Sequence, residues 1–354
     1  MKELLLKIAS GLYGVGVKLR HILFDANLLH SEKFDIPIIC VGNITVGGTG
    51  KTPAVEMLAE HYSQQYNVAI LSRGYGRATK GYRVVEVDDT YRDVGDEPLQ
   101  MKRKFPDVTV VVCERRVLGI RRIREEFPDV NMIIMDDGFQ HRYVTPLVNI
   151  IIEDYSRPIE HDHLLPYGQL RDVKSSLYRA QYFIVTKCPE TMKPINMRER
   201  RNWLIKKASQ DIFFSRMQPS PACSVFADVE GTVEHGSKVV ALSGIGDNEA
   251  FIRGLEQRYK VVASIKMDDH HSYRMSDLKQ IMDILEQHLG AVIMTTEKDA
   301  VKFANSKAVP TSLYDKMFYE KISMRFVGDS RHELFDRIDN DIKNRGNEKH
   351  IRGL

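Results

Sequence analysis

The 354-residue sequence has no paired cysteines: Cys40, Cys113, Cys188 and Cys223 lie far apart with no C-x-x-C spacing. That excludes a zinc ribbon and a disulfide framework and makes a reducing cytoplasm the simplest compartment. An excess of one charge is also missing, since 51 Lys and Arg stand against 48 Asp and Glu for a net charge of +3. The basic residues are scattered among acids, which argues against a nucleic-acid partner that would need a dominant basic face. No low-complexity tract or internal repeat is present, and 43% hydrophobic with 28% charged residues is an ordinary globular balance. Nothing in the sequence calls for an obligate protein partner.

Long apolar runs are missing too. Near the N-terminus Leu5, Ile8, Leu12, Val15, Leu19 and Ile22 recur at three and four, with Glu3, Lys7, Ser10, Gly14, Lys18 and His21 opposite. The stretch between Lys7 and Lys18 is ten residues, against the roughly 20 that a membrane-spanning helix requires. A signal peptide is not expected, because no small-residue cleavage site follows and the nucleotide motif downstream needs cytosolic nucleotide. Two readings remain for residues 1–30. The amphipathic helix packs on its own domain, or it lies in a membrane interface with its cationic flank toward anionic lipid. Gly11, Gly14 and Gly16 weaken helix propensity under either reading.

From residue 36 onward, short Val/Ile-rich runs alternate with helical patterns, the rhythm of a parallel sheet with crossover helices. The expected strands are 36–41, 68–72, 108–113, 132–135, 148–152 and 182–185, giving an α/β domain over 31–215. Residues 216–237 read as a linker with a hairpin at Glu230-Gly231. A smaller α/β domain is expected over 238–354, with strands at 239–242, 261–263, 291–294 and 324–327 and a frayed polar tail after Asn344.

The first strand runs into Thr45-Val46-Gly47-Gly48-Thr49-Gly50-Lys51-Thr52, which opens a helix beginning near Pro53. Strand, glycine-rich turn and helix together form a Walker A loop. Its backbone N–H groups wrap phosphate at a positive helix end, Lys51 reaches the β and γ phosphates, and Thr52 ligates magnesium. Thr45 departs from the strict pattern, which has glycine there. The apolar strand Met132-Ile-Ile-Met135 ends in Asp136-Asp137, the form of a Walker B strand. Asp136 is the expected magnesium carboxylate, with Asp137 near the metal or the acceptor. No N-K-x-D guanine signature appears, since Thr186-Lys-Cys-Pro and Thr296-Glu-Lys-Asp do not match it. ATP with Mg2+ is therefore expected by elimination. A P-loop nucleotide switch or metal-insertion ATPase without a sugar acceptor would share these elements.

Further segments resolve that choice: Val41 through Pro53, Ser72-Arg-Gly-Tyr-Gly-Arg77, Val94-Gly-Asp-Glu-Pro98, Asp136-Asp-Gly-Phe-Gln-His141, Leu164 through Asp172, Ala241 through Gly246, Asp269-His270 and Thr296 through Val301. In this order they resemble the tetraacyldisaccharide 4'-kinase (lipid A 4'-kinase) family over nearly the whole chain. The resemblance implies two hinged α/β domains and an enzyme peripheral to the cytoplasmic face of the inner membrane. It implies transfer of the γ-phosphate of ATP to the 4' hydroxyl of a tetraacyldisaccharide 1-phosphate. It also implies Asp96 as the carboxylate at the attacking hydroxyl, with His270 as its dyad partner. Arg73, Arg77, Arg116 and Arg171 become candidates for phosphate contacts, and Gln140 and His141 for the sugar. With Asp96 in the first domain and His270 in the second, the dyad would be assembled by domain closure. Gln169 and Asp172 stand where proline and glutamate are usual in the family.

Overall fold

The computed structural model describes the chain except Ala227, Asp228, Glu230, Asn305, Lys307, Gly353 and Leu354, and omits the side chains of 346–352. The chain forms two compact units, Met1–Arg73 with Val108–Met217 and Met324–Leu354, and Gly74–Asp107 with Gln218–Ser323. This division differs from the expected boundaries in two places. Residues 74–107 leave the P-loop domain for the smaller unit, and the C-terminal segment from Met324 joins the P-loop unit. The proposed hairpin at Glu230-Gly231 lies partly outside the described residues.

In the first unit the strand Ile38–Gly42 sits between Met132–Asp136 and Val148–Asp154, parallel to both. Val68–Ser72 and then Thr109–Val112 extend the sheet on one side, and Tyr182–Thr186 and Asp211–Pro219 extend it on the other. Ile38–Gly42, Val68–Ser72, Met132–Asp136 and Tyr182–Thr186 are buried at every residue. Strands covered on both faces need continuous apolar runs rather than alternation, which is why the sequence reads as it does. The strand Ile322–Phe326, expected in the smaller sheet, lies beside Asp211–Pro219 at the edge of the large one, where the Val327 N–H bonds the Phe214 carbonyl at 2.9 Å.

The expected frayed tail is instead part of a helix, Ser330–Arg352, which Arg345 fastens to the carbonyls of Phe34 and Ile36. In the second unit Lys260–Lys266, Lys238–Ser243, Val292–Thr296 and Met317–Glu320 form a parallel sheet, closed on one edge by the antiparallel pair Cys223–Ser224.

The N-terminal helix, Lys2–Asp25, packs with its polar side inward. Ser10 Oγ donates to the Leu164 carbonyl at 2.8 Å, and the Tyr13 hydroxyl donates to the Arg171 carbonyl at 2.7 Å. Arg20 donates to the Gln140 carbonyl at 3.0 Å, and His21 Nε2 lies 2.6 Å from Asp172. Gly14 lets the helix approach closely, since a Cβ there would come within 2.8 Å of Leu164 Cδ1, the end of a side chain that would have to turn aside. The opposite side, Leu5, Ile8, Leu12, Val15, Leu19 and Ile22, is 54–71% exposed. The helix thus packs on its own unit, as one of the two readings expected, but through its polar side and with the apolar side left exposed. Among the described residues no helix is long and apolar enough to cross a membrane.

Candidate active site

The loop Thr45–Thr52 leaves the C-terminal end of the strand Ile38–Gly42. Gly47 and Gly50 take φ values of +89° and +92°, and the helix begins at Lys51. Left-handed positions of this kind let the backbone of a glycine-rich turn present N–H groups to phosphate oxygens. Thr45 fits where the strict motif has glycine because it forms an antiparallel bridge with Leu170, an extended conformation that suits a β-branched residue. The loop is held from three sides. The Val46 N–H bonds the Gln169 carbonyl at 2.9 Å, Asn43 Nδ2 donates to Thr49 Oγ1 at 2.8 Å, and Thr186 Oγ1 donates to the Thr49 carbonyl at 2.7 Å.

The parallel register pairs Val41 with Asp136, so the acidic strand end lies next to the start of the loop. Ser72 Oγ donates to Asp136 Oδ2 at 2.8 Å and orients that carboxylate. Asp137 has φ +45°, an uncommon conformation for a side-chain-bearing residue. Its carboxylate takes a bidentate grip from Arg171 at 2.6 and 2.9 Å, with Lys51 Nζ 3.7 Å away. Burial alone would raise the Asp137 pKa, but Lys51 and Arg171 outweigh it and hold the carboxyl well below the usual range. Arg171 also donates to Asn43, and Gln140 Nε2 donates to the Asn43 carbonyl at 2.7 Å. Hydroxyl and carboxylate oxygens at Thr52, Asp136 and Asp137 are the donor set a hard cation takes. Magnesium commonly uses one or two such carboxylates and completes its shell with substrate phosphates and water.

The arginine candidates sit in different surroundings. Arg116 is only 1% exposed, and its guanidinium donates to the Cys113 carbonyl at 2.6 Å and the Asp136 carbonyl at 3.0 Å. It braces the acidic strand end from inside the protein. Arg77 lies in the second unit, donating to the Gly81 carbonyl at 2.5 Å, while Arg73 is exposed just past the strand Val68–Ser72. Burial, followed by the nearby Arg116, Arg20 and Arg73, pushes the His141 pKa down to about 4. The neutral ring donates from Nε2 to the Glu114 carbonyl at 3.0 Å.

Asp96 and His270 both belong to the second unit, so their contact is internal to it and is not made by closure of two domains. Asp96 opens the helix Asp96–Lys104 after Gly95, whose φ of +95° and whose close approach to Gly74 and Tyr75 require glycine. His270 Nδ1 lies 2.9 and 3.1 Å from the two Asp96 oxygens. His270 itself has φ +60°, a strained position of the kind found at functional sites. Two lysines one turn apart complete the cluster. Lys302 Nζ is 3.6 Å from Asp96 and 2.9 Å from Asp299, and Lys298 Nζ is 3.9 Å from Asp96 and 2.9 Å from Asp269. Burial would raise the Asp96 pKa, but the His270 hydrogen bond and the lysines bring it down to about 2. Neither lysine was singled out from the sequence, although Lys298 stands inside the matching segment Thr296–Val301.

Glu153, at the end of the strand next to the loop, is a buried carboxyl that no sequence signal marked. Burial pushes its pKa up to about 7, against the pull of Arg200 at 3.6 Å and the Ile159 N–H at 2.9 Å. The folded pKa is raised above the unfolded value of about 4.3, so this contribution to stability is complete below that pH and is lost as pH rises through about 7. Glu153→Gln is therefore expected to raise the melting midpoint at pH 8 by about 2–4 °C and to leave it unchanged at pH 4. Equal shifts at both pH values in a thermal unfolding series would contradict this.

The sequence model of the tetraacyldisaccharide-1-P 4'-kinase family matches residues 2–343. The tetraacyldisaccharide 4'-kinase of Porphyromonas gingivalis is 39% identical over 341 residues, covering 94% of this chain and 95% of the relative. That of Parabacteroides distasonis is 37% identical over 351 residues, with 95% and 94% covered. Among solved structures, the LpxK of Aquifex aeolicus in complex with ATP superposes with a TM-score of 0.74 at 27% identity, covering 96% of this chain and 99% of that one. With its P-loop architecture and this extent of similarity, the chain belongs to the tetraacyldisaccharide 4'-kinase family.

Proposed function

We infer that the chain transfers the γ-phosphate of ATP to the 4' hydroxyl of tetraacyldisaccharide 1-phosphate, the phosphorylation step of lipid A biosynthesis that its family carries out. The observation that carries this reading is a Walker A loop set beside Asp136 and Asp137, in a chain matched by the family along almost its full length. The nucleotide-switch alternative gains nothing from these findings. Bound Mg-ATP supplies the phosphoryl group, with the cation neutralising charge on the phosphates. The loop N–H groups and Lys51 bind those phosphates, while Thr52, Asp136 and Asp137 hold the cation. Arg171 stays paired with Asp137 and fixes its direction. In the second unit, Asp96 accepts the proton of the attacking hydroxyl late in transfer, and His270 orients it. Arg73 and Arg77 are assigned to substrate phosphate, and Gln140 and His141 to the sugar. Labelled γ-phosphate transfer to purified tetraacyldisaccharide 1-phosphate in detergent tests the reading. ATP hydrolysis without labelling of the lipid would overturn it.

The N-terminal helix is assigned to the surface of the membrane that carries the lipid substrate, the cytoplasmic face of the inner membrane. Fully burying a large aliphatic side chain is worth about 1.5–3 kcal/mol, so six of them in water forgo a large favourable term that an acyl-chain boundary would supply. Leu12→Glu with Val15→Glu is expected to abolish co-sedimentation with anionic phospholipid vesicles while leaving ATP affinity unchanged. Undiminished sedimentation would remove the helix from this role.

A further inference from the structure

Beside the loop Thr45–Thr52, on the side of the strand Ile38–Gly42 away from Asp136, one arginine is held by long contacts only. Arg157 stands just past the strand Val148–Asp154. Its Nη1 lies 3.1 Å from Gln169 Oε1 and 3.4 Å from the Val46 carbonyl, and its Nε and Nη2 lie 3.4 and 3.3 Å from Asp154 Oδ2. All four are near or beyond the long end of the hydrogen-bond range, and the side chain is 32% exposed. Lys187 Nζ holds the same Asp154 oxygen at 2.8 Å, so that buried carboxylate keeps a cation when the arginine turns away. Gly47 makes the room: besides its φ of +89°, a Cβ there would stand 3.2 Å from Arg157 Nη1.

We propose that Arg157 is a further catalytic residue, which leaves Asp154 for the γ-phosphate of bound ATP and neutralises the charge that builds there during transfer. This rests on the reading above that the loop binds the phosphates of ATP. Backbone N–H groups of such a loop cradle the α and β phosphates near the helix start, and its lysine reaches from β to γ. The γ-phosphate therefore extends toward the earlier half of the loop, where Gly47 and the Arg157 guanidinium stand. In the transfer the attacking sugar oxygen bonds to the γ phosphorus, and the bond from that phosphorus to the β–γ bridging oxygen breaks with its electron pair staying on ADP. The hydroxyl proton goes to the base. Negative charge spreads over the outer oxygens of the moving group, and a planar guanidinium meets two of them at once where Lys51 supplies a point charge.

The full-length wild-type protein gives the first test, by phenylglyoxal modification read at Arg157 with peptide mass spectrometry and no lipid present. Mg-ATP should slow the modification by about fivefold or more, and Mg-ADP should leave it within about twofold of the rate without nucleotide. Calorimetry on Arg157→Gln should show ATP binding weakened by about tenfold with ADP binding within about twofold of wild type, and kcat should fall by about 100- to 1,000-fold. Arg157→Lys should recover part of the ATP affinity and little of the rate. Equal loss of ATP and ADP binding would make Arg157 a brace for the loop and overturn the proposal. Equal modification of Arg157 under either nucleotide would overturn it too, whether or not the variants fold. A wild-type protein that showed the ATP-specific protection and yet labelled no lipid would remove the acceptor reading and leave the assignment of Arg157 standing.

Discussion

Asp96→Asn is expected to lower kcat by about 100- to 10,000-fold, the usual range for removing a general base, while leaving ATP affinity unaltered. The substitution keeps shape, and the asparagine carbonyl can still accept from His270 Nδ1, so the opening turn of the helix Asp96–Lys104 should persist. What disappears is the carboxylate oxygen assigned to take the proton of the bound hydroxyl. With the carboxyl held near a pKa of about 2, Asp96 stays ionised across the working pH range. Its sign follows directly: protonation, and with it loss of the base, begins only as pH falls toward that value. The wild-type rate should therefore show no acid limb from Asp96 above about pH 4. Steady-state kinetics on the lipid substrate between pH 5 and 9 checks both parts. An Asp96→Asn protein that is folded and within threefold of wild type would remove Asp96 from the chemistry.

Lys51→Ala should be nearly as damaging, lowering turnover by about 100- to 1,000-fold, the range measured elsewhere for losing one preorganised donor to developing charge. Lys51 is the first residue of its helix, and its ammonium stands 3.7 Å from Asp137. That carboxylate keeps its bidentate partner Arg171 when the lysine is removed, so the variant should fold and retain the loop geometry. The loss then falls on phosphate neutralisation, seen as a lower kcat and weaker ATP binding by calorimetry with an unchanged lipid KM. Lys51→Arg should not restore the rate, because a planar fork cannot replace a compact charge inside a glycine turn. Turnover within a few fold of wild type would mean that the loop is not the phosphate cradle.

The parts of this protein that could be read from sequence are those encoded locally. Buried parallel strands must be apolar without interruption, so Ile38–Gly42, Val68–Ser72 and Met132–Asp136 announced themselves, and the loop between strand and helix carried its own chemistry. Sheet membership is not encoded that way. The run from Met324 has the same β-branched and aromatic character whichever sheet it joins, and it joins the large one.

The excursion of residues 74–107 into the smaller unit was equally hidden, because contiguous reading assigns a segment to the domain that surrounds it in the chain. This hid the fact that Asp96 and His270 are neighbours within one unit. The strand Asp211–Pro219 was missed because its end, Met217-Gln-Pro, carries the residues that usually mark a linker. Lys302 carried no signal and Lys298 only its place in the segment Thr296–Val301, since a lysine on a short helix is ordinarily solvated and only the fold shows two of them turned toward one carboxylate.

The inward polar face of the N-terminal helix has a practical consequence. The helix is not a detachable anchor: Tyr13 and Ser10 hold carbonyls of the segment that carries Arg171, and His21 holds its next residue, Asp172. Trimming the 24 residues of that helix to obtain better-behaved protein would also unfasten the guanidinium that grips Asp137. Solubility is better sought by recolouring the exposed apolar side, one side chain at a time, with the inward hydroxyls, the imidazole and Gly14 left as they are.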